Sequence, residues 1–421
     1  MESSDYMSNI KPFKGIRPTQ DKVHLVAALP YDVMSSSEAR VRAEGNPLSF
    51  LHVDKAEIDL DPSVNLYDDA VYEKAAENLN KMISDGIYQQ DEKEVFYIYM
   101  LTMNKREQTG LVCCCDIDEY VNGTIKKHEH TIKAKEEDRL RHIDACDANT
   151  GPVFLTYRAR RDISDIINRY KAAHRPMYDF ITTDGITHTA WLIDDEEVID
   201  QLKKLFAEVP ALYIADGHHR SASTVEVGLK RRSEAKNADP DAEYNYFLSV
   251  LFPDNELHIM DYNRVITDLN GHTREAFFEL IRENFEIDEA PIAPFNPPFP
   301  HSFSMYIDNQ WYLLTAKEGI IDDSDPIMCL DVSILHKWII EPILGITDVR
   351  SDSRIDFVGG IRGLCELENR VNSGEMKVAF ALYPTTIEQV MTIADNSLVM
   401  PPKSTWFEPK LRSGIFIHKL S

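Results

Sequence analysis

The stretch that decides the fold is ALYIADGHHRSAST, residues 211–224. Its first five residues are apolar and are typical of a buried β-strand, and the small residues after Arg220 favour the start of a helix. Gly217 stands between the two and permits a close turn of the backbone. A strand that turns into a helix presents unpaired N–H groups and a positive dipole end, so the stretch predicts an anion site.

The charged side chains of this turn favour phosphate as the anion. Arg220 can direct a fork of hydrogen bonds onto phosphate oxygens. Asp216, at the end of the strand, is placed to hold Mg²⁺ or a hydroxyl, because hard cations prefer carboxylate oxygens. The alternative is a turn with surface histidines. The first interpretation predicts that phosphate is bound by Gly217, His218, His219, Arg220 and Ser221.

Outward from this turn, the pattern predicts an α/β protein, in the broad sense that includes α+β, with mixed sheets. THTAWLI (187–193), the charged helix pattern after it and the deciding stretch alternate strand, helix, strand and helix. VFYIYMLTM and TGLVCCCDI, separated by NKREQ, predict one hairpin, and SFSMYIDNQWYLLT predicts another that turns at Asp308-Asn309.

The length of 421 residues exceeds what one core usually organises, so we expect two or more subdomains. The Pro-rich stretch APIAPFNPPFPH (290–301) is a candidate boundary. The expected division is an N-terminal α/β region 1–160, a DGHHR region 161–290 and a C-terminal α/β region 291–421.

The composition excludes several classes of protein. A formal net charge of −25 argues against a broad nucleic-acid-binding face, because duplex affinity comes largely from Lys and Arg. With no basic and apolar leader pattern and no long apolar run, we expect a cytoplasmic protein without a membrane segment. The six cysteines lack C-x-x-C spacing, so we expect reduced thiols, with Cys113, Cys114 and Cys115 in a buried strand.

A second concentration of polar residues is KKHEHT (126–131), followed by Arg139 and Arg141. On a strand, His128 and His130 would share a face and Glu129 would point oppositely. Zinc binding has suitable residue types but lacks H-E-x-x-H spacing. A second interpretation makes Glu129 a general base with Arg139 or Arg141 on phosphate, and a third is a solvated charged face.

Two further segments leave alternatives open. FVGGIRG (357–363) has three glycines within five residues, which suggests a tight loop near a ligand or near a partner backbone. It lacks both the G-x-G-x-x-G and the P-loop patterns, so neither a dinucleotide fold nor a Walker site is predicted there. MPPKSTWFEPKLRSG (400–414) carries Lys403, Lys410 and Arg412 among aromatic residues. This segment either returns to the phosphate site or closes a dimer, and a homodimer is left open.

Six motifs carry a resemblance to a known family, and they occur in the family's order: AALPYDV (27–33), NPLSFLHV (46–53), HEHT (128–131), YIADGHHRSA (213–222), FVGGIRG and the 400–414 segment. Over nearly its whole length the chain resembles the domain-of-unknown-function family 1015. Its DGHHR turn also resembles the phosphate-binding turn of the ParB and sulfiredoxin-like superfamily. That superfamily includes nucleotide-binding segregation proteins, sulfiredoxins and free-serine kinases.

The resemblance to the kinases implies ATP or ADP with Mg²⁺, and phosphoryl transfer to a small hydroxyl substrate, free L-serine. Asp216, His219 and Arg220 match the kinase turn, which implies catalytic roles for Asp216 and His219 and a metal at Asp216. Glu129 is the candidate base and Arg139 a further phosphate ligand. His218 stands where sulfiredoxins have their cysteine, which disfavours sulfinic-acid reduction.

Other members and other roles are kept as alternatives. Segregation of DNA is disfavoured, because the sequence shows no helix-turn-helix with a basic surface. A nucleotide hydrolase or a ligand-gated switch could use the same turn without a phosphorylated acceptor, and a scaffold could keep it without activity. The nucleotide hypothesis requires an open surface beside the turn.

Overall fold

The computed structural model describes residues 8–237 and 239–421. The chain forms two compact units. Unit 1 runs to Leu257 and resumes at Pro409–Ser421, and unit 2 is His258–Glu408. Unit 2 is therefore inserted into the sequence of unit 1, and the site residues predicted above all belong to unit 1.

These units do not follow the three regions expected from the sequence. The expected division after residue 160 falls inside unit 1, between a strand and a helix that both belong to it. The expected division after residue 290 falls inside unit 2. The Pro-rich stretch there connects two strands of one sheet, so its composition marks a loop and not a boundary.

The strands of unit 1 form one large sheet and smaller pairs. Within the described residues the large sheet has the order β6-β11-β8-β12-β5-β4-β10-β9, and β1 also pairs with β5. The strands are β1 (Ile10–Lys11), β2 (Ile16–Pro18), β3 (Tyr88–Gln90), β4 (Phe96–Met103), β5 (Arg106–Asp116), β6 (Ile125–Lys126), β7 (Ala148–Asn149), β8 (Val153–Tyr157), β9 (Tyr178–Ile181), β10 (Thr187–Ile193), β11 (Leu212–Asp216) and β12 (Tyr246–Pro253).

The large sheet is mixed, which confirms the predicted class. β11 is parallel to β6 and antiparallel to β8, whereas β4, β5, β9 and β10 form antiparallel pairs. The predicted hairpin of β4 and β5 is confirmed, with Tyr97 opposite Val112. Asn104 and Lys105 connect the two strands with φ of 51° and 66°, the left-handed backbone that a two-residue hairpin turn requires.

The helices of unit 1 cover the sheet and build a second core. One face of the sheet packs Leu111, Cys113 and Phe247 against apolar residues of α7 and α8, such as Ile163 and Leu202. The helices are α1 (Val23–Val26), α2 (Ser36–Ala43), α3 (Leu51–Asp54), α4 (Asp69–Ser84), α5 (Ile117–Asn122), α6 (Lys133–Cys146), α7 (Arg161–Ala173), α8 (Glu196–Phe206) and α9 (His218–Glu234). No helix in the described part of the chain is both long enough and apolar enough to cross a bilayer.

The cysteines are free thiols, as expected from the sequence. Cys113, Cys114 and Cys115 lie buried near the end of β5, and Cys146 is buried at the end of α6. Burial raises the pKa of Cys113 and Cys114 well above the usual thiol value. These side chains therefore serve as small apolar groups of the core.

Unit 2 is built on an antiparallel sheet of order β15-β17-β16-β19-β14-β18. The predicted hairpin of β16 and β17 is confirmed, and Asp308 and Asn309 form its turn with φ of 49° and 64°. The elements are β13 (Ile259–Met260), β14 (Tyr262–Ile266), α10 (Arg274–Asn284), β15 (Phe285–Glu289), β16 (Ser302–Ile307), β17 (Gln310–Ala316), α11 (Asp331–Leu335), β18 (Ile355–Gly359), α12 (Leu364–Asn372), β19 (Val378–Leu382), α13 (Ile387–Asp395) and β20 (Trp406–Phe407).

One pair of strands positions the candidate site. β6 and β11 are parallel, with Ile125 opposite Leu212 and Lys126 opposite Tyr213. Parallel strands end at the same edge of a sheet, so the residues that follow β6 and those that follow β11 leave the sheet side by side. The two polar clusters of the sequence, KKHEHT and DGHHR, are brought together in this way.

Candidate phosphate site

Gly217 makes the turn between β11 and α9. Its φ of 94° and ψ of 34° lie in the left-handed region, which favours glycine. A side-chain Cβ at this position would also stand 3.2 Å from Cζ and Nε of Arg220. The glycine therefore allows both the turn and the close approach of the arginine to it.

The two histidines of the turn fasten the segment that follows β6. His218 Nε2 accepts a hydrogen bond from the backbone N–H of His128 at 3.4 Å, and His219 Nε2 accepts one from Ile132 N–H at 3.0 Å. A backbone N–H can only donate, so both rings carry their proton on Nδ1 when neutral. Burial lowers the pKa of both histidines, which keeps them neutral acceptors near pH 7.

The KKHEHT segment is a loop beyond Lys126, and the expectation that His128 and His130 share a strand face is wrong. His128 is buried, with its ring edge-to-face against His218 at 4.5 Å, whereas His130 is exposed. The two-residue alternation does not apply, because β6 ends before them. Among residues 8–237 and 239–421, no group of three His, Cys, Asp or Glu side chains could hold a metal ion, so zinc has no support.

Glu129 lies beside the turn. Its side chain is 45% exposed, and Oε2 is 3.7 Å from Nδ1 of His218, the ring nitrogen that carries the proton. The structure thus brings the candidate base next to the DGHHR turn. From the sequence, this proximity could be suggested only through the resemblance. Glu129 is both anchored near the turn and open to solvent.

Asp216 is ionised by two neighbouring cations. Its Oδ2 is 3.3 Å from Nζ of Lys410 and 3.7 Å from a terminal nitrogen of Arg220. Burial raises the pKa of Asp216, but the charges of Lys410 and Arg220 outweigh burial, so the pKa lies below its usual value. The carboxylate is charged across the physiological range.

Arg220 is buried at the centre of the cluster, with 8% of its surface exposed. It donates to the carbonyl of Pro152 and lies 3.9 Å from a carboxylate oxygen of Asp32. Its buried Nε–H has no hydrogen-bond partner among the described residues. Burial alone would lower the pKa of Arg220, but the charges of Asp32 and Asp216 raise it by more. The pKa therefore lies above its usual value, and the guanidinium stays charged.

The amide groups of the first turn of α9 face the same region. His218, His219 and Arg220 are the first three residues of the helix, whose N–H groups have no intrahelical acceptor. In the part of the chain that the structure describes, no side chain caps this end. The positive helix end therefore adds to the charge of Arg220.

Arg139, on α6, lies at the same small cavity as Arg220. The cavity has about 20 Å³ of accessible space, about enough for one water molecule. Arg139 pairs with Asp138 at 2.8 Å and stacks on the ring of Tyr31 at 3.9 Å. The two arginines predicted to contact phosphate are thus brought together, but the cavity is too small for a phosphate group, and within DGHHR only Asp216 and His219 are partly exposed.

Ser221 has a different role from the one expected. Its hydroxyl donates to the carbonyl of Gly217 at 2.9 Å, and its backbone N–H donates to the same oxygen. Both donors hold the turn together, so Ser221 is not carried forward as a phosphate ligand.

Sequence reasoning missed Asp32 as a site residue and left Lys410 undecided. Asp32 lies in the AALPYDV motif, two residues after Pro30, and that motif was the available signal. Lys410 and Asp216 are 194 residues apart in the chain. The terminal segment returns to the turn, which is the first of the two alternatives, and Arg412 is buried nearby in a pair with Asp184.

The comparisons with known proteins identify the family. A family model described as "Protein of unknown function (DUF1015)" matches residues 10–333, and the chain belongs to this family. A comparison with curated proteins gives no match.

Three solved structures are similar to parts of the chain. A free serine kinase in complex with AMP is 14% identical, with 77% of this chain and 92% of that chain covered and a TM-score of 0.36. A conserved hypothetical protein from Pyrococcus furiosus is 14% identical, with coverages of 73% and 94% and a TM-score of 0.35. SbnI with a C-terminal truncation, from Staphylococcus aureus, is 10% identical, with coverages of 70% and 82% and a TM-score of 0.37. These scores are too low to carry an argument about activity.

Proposed function

We propose that unit 1 catalyses nucleotide-dependent phosphoryl transfer to the hydroxyl of a small metabolite, with free L-serine as the acceptor and ATP or ADP as the donor. The observation that carries the proposal is the guanidinium of Arg220, which is buried, charged and has an unpartnered Nε–H among the described residues. It lies beside the first-turn amides of α9. The present cavity holds about one water molecule, so the surrounding side chains would have to move apart before a phosphate group could satisfy both kinds of donor.

The ion pairs of Arg220 with Asp32 and Asp216 are long enough for another anion to compete with them. Its distances to Asp32 and Asp216 are 3.9 Å and 3.7 Å, longer than a charge-assisted hydrogen bond. His219 is half-buried, and besides burial the charges of the exposed Lys135 and of Arg220 lower its pKa, while those of Asp32 and Glu136 raise it. An incoming phosphate would therefore meet positive charge from Arg220, Lys135 and the helix end, beside the negative charge of Asp32 and Asp216.

Two carboxylates fit a role in holding Mg²⁺. Asp216 and Asp32 both lie within 4 Å of Arg220. Mg²⁺ in nucleotide sites is usually held by one or two carboxylates together with phosphate oxygens and water. Asp216 and Asp32 would supply those oxygens, and the bound ion would neutralise charge on the transferred group.

Glu129 is the residue proposed to accept the proton. In the transfer, the acceptor hydroxyl oxygen bonds to the terminal phosphorus of the nucleotide, the bond to the leaving phosphate oxygen breaks, and the hydroxyl proton passes to the Glu129 carboxylate. Such a reaction depends mainly on positioning and on charge neutralisation. Glu129 suits the role because it is exposed and stands 3.7 Å from the ring of His218.

One observation favours the alternative, a hydrolase or a ligand-gated switch on the same turn. The cavity beside Arg139 and Arg220 has only about 20 Å³ of accessible space, and Asp216 is paired with Lys410. Phosphate that displaced Asp216 from this pair would rearrange the terminal segment that carries Lys410. Such a response could signal binding without any phosphorylated acceptor.

One assay separates these functions. Full-length protein is incubated with ATP or ADP, Mg²⁺ and a panel of amino acids. A kinase gives phosphorylated product only with its acceptor, a hydrolase gives acceptor-independent phosphate, and a switch binds nucleotide without turnover. If no nucleotide binds at millimolar concentration, the proposal is wrong for the site as a whole.

Two substitutions test the assigned roles. Arg220→Ala and Arg220→Lys should each weaken nucleotide binding by about 10- to 100-fold, from the loss of charged hydrogen bonds of about 1.5–3 kcal/mol. Arg161→Ala, at an exposed arginine of α7, is the control. Glu129→Gln should keep binding and lose turnover, whereas Glu137→Gln, at an exposed residue of α6, should keep both. Full activity of Glu129→Gln would remove Glu129 as the base.

A further inference from the structure

Unit 2 contains a pocket of about 490 Å³ of accessible space, within the size range of small-molecule sites. Its walls come from the helix that begins at Asp331, from residues 347–350, from Pro401 and Pro402, and from Arg264 on β14. Most of the surface that lines the pocket is apolar, and Ile327, Met328, Val332, Ile340 and Val349 contribute to it.

Arg264 is a buried cation in this wall, with 4% of its surface exposed. Its guanidinium donates to the carbonyl of Tyr262 and, at 2.9 Å, to the carbonyl of Lys403, and it stands 5.2 Å from the ring centre of Phe357. Burial lowers its pKa to about 10, so it is charged at neutral pH. Across the described chain it forms no ion pair with a carboxylate.

An unpaired buried charge is costly, so this arrangement calls for a counter-ion. The two carbonyls use only part of the donor capacity of a guanidinium, which has five N–H groups. An anion in the pocket that Arg264 lines would supply this counter-ion.

Two more polar atoms of the wall lack partners. The hydroxyl of Ser333, a residue with 6% of its surface exposed, and Nδ1 of His336 are buried without a hydrogen bond in the described portion of the protein. The chain leaves the α-helical pattern at this place and forms a π-helical turn over His336–Ile340. Such turns occur often at functional sites. Buried polar atoms are normally satisfied, so a bound molecule would supply the partner.

The outer charges of the pocket favour an anion as well. Lys337 and Arg350 line it together with Glu341 and Asp348. Asp348 already accepts from the backbone of Arg350 and from the hydroxyl of Ser351. With Arg264 included, positive side chains outnumber negative ones around a mainly apolar wall.

We propose that this pocket is a second ligand site, for a carboxylate carried on an aliphatic or aromatic body. The carboxylate pairs with Arg264 and accepts from Ser333, and the apolar body packs against Met328, Val332 and Ile340. The site stands independently of the phosphate site proposed for unit 1.

The test uses matched ligands and the full-length protein. Octanoate and 3-phenylpropionate are titrated by calorimetry beside octan-1-ol, 3-phenylpropan-1-ol and octylammonium. At least one of the two carboxylates should bind at millimolar concentration or tighter, its alcohol at least tenfold more weakly, and octylammonium not at all. Equal binding of acid and alcohol, or no binding of either acid, overturns the proposal.

Variants then locate the binding. Arg264→Met should weaken carboxylate binding at least tenfold, and Arg264→Lys less. Arg274→Met, at an arginine of α10 outside the pocket, should bind as the wild type does. Met328→Trp keeps every charge and fills the space, so it should also lose binding, and it covers the case in which Arg264→Met does not fold. Wild-type binding by a folded Met328→Trp places the ligand elsewhere and refutes the assignment.

Discussion

Replacing Gly217 by alanine separates the two reasons for a glycine in the DGHHR turn. The left-handed backbone at φ 94° costs a residue with a side chain about 1–2 kcal/mol. The added Cβ would also meet Arg220 at 3.2 Å, so the guanidinium would have to move by a few tenths of an ångström. We expect Gly217→Ala to lose about 1–2 kcal/mol of unfolding free energy and to weaken nucleotide binding about tenfold by displacing Arg220.

Gly123→Ala is the matched control. Gly123 ends α5 with a φ of 86°, and an added Cβ there would meet nothing within 4 Å. Urea unfolding should therefore show a similar loss of stability in both variants, and a nucleotide titration should show weakened binding only in Gly217→Ala. If Gly217→Ala is as stable as the wild type, the backbone argument is wrong. If both variants bind nucleotide equally, the position of Arg220 does not depend on this glycine.

Two further predictions concern pH. The lowered pKa of Asp216 contributes stability that is present above its unfolded value near 3.8 and is lost as the pH falls through the lower folded value. Lys410→Met removes its nearest cation, so acid unfolding, followed by circular dichroism, should shift to higher pH; an unchanged midpoint would contradict the pairing. Burial lowers the pKa of His128 from 6.5 to about 4, so the unfolded chain binds an extra proton within that window and stability falls as the pH falls. His128→Phe should lessen this dependence by up to about 1.4 kcal/mol per pH unit, measured by urea unfolding at pH 6.5 and 4.5, and an identical slope would show that His128 is not responsible.

Local patterns predicted the elements that local forces determine. Residues 35–38, Ser-Ser-Ser-Glu, have the Ser-x-x-Glu pattern of a capping box, and the box is present at the start of α2 because both partners lie within one helical turn. The hairpin at Asp308-Asn309 followed from alternation and from residues that tolerate the left-handed backbone. The strand, glycine and helix at residues 212–218 were predicted for the same reason.

The composition of the site could be predicted only in part. The DGHHR turn and Glu129 were singled out because each lies in a dense polar cluster, and their roles in binding and catalysis stay predictions. Asp32 and Lys410 reach the turn from opposite ends of the chain, and no periodicity reports such a contact. His128 was placed on the wrong kind of backbone because two-residue alternation was extended past the end of β6.

The insertion of unit 2 has a consequence for the order in which the protein is made. The ribosome releases residues up to Leu257 first, then the whole of unit 2, and only then Pro409–Ser421. At about 5–20 residues per second, the nascent unit 1 waits roughly ten seconds or more for residues Pro409–Ser421. During that time β7 lacks the strand His418–Lys419 that pairs with it, and Asp216 lacks Lys410. The contact between Asp216 and Lys410 therefore forms only after unit 2 has been made, and a chain that stops before Lys410 carries the DGHHR sequence without the cation that holds its aspartate.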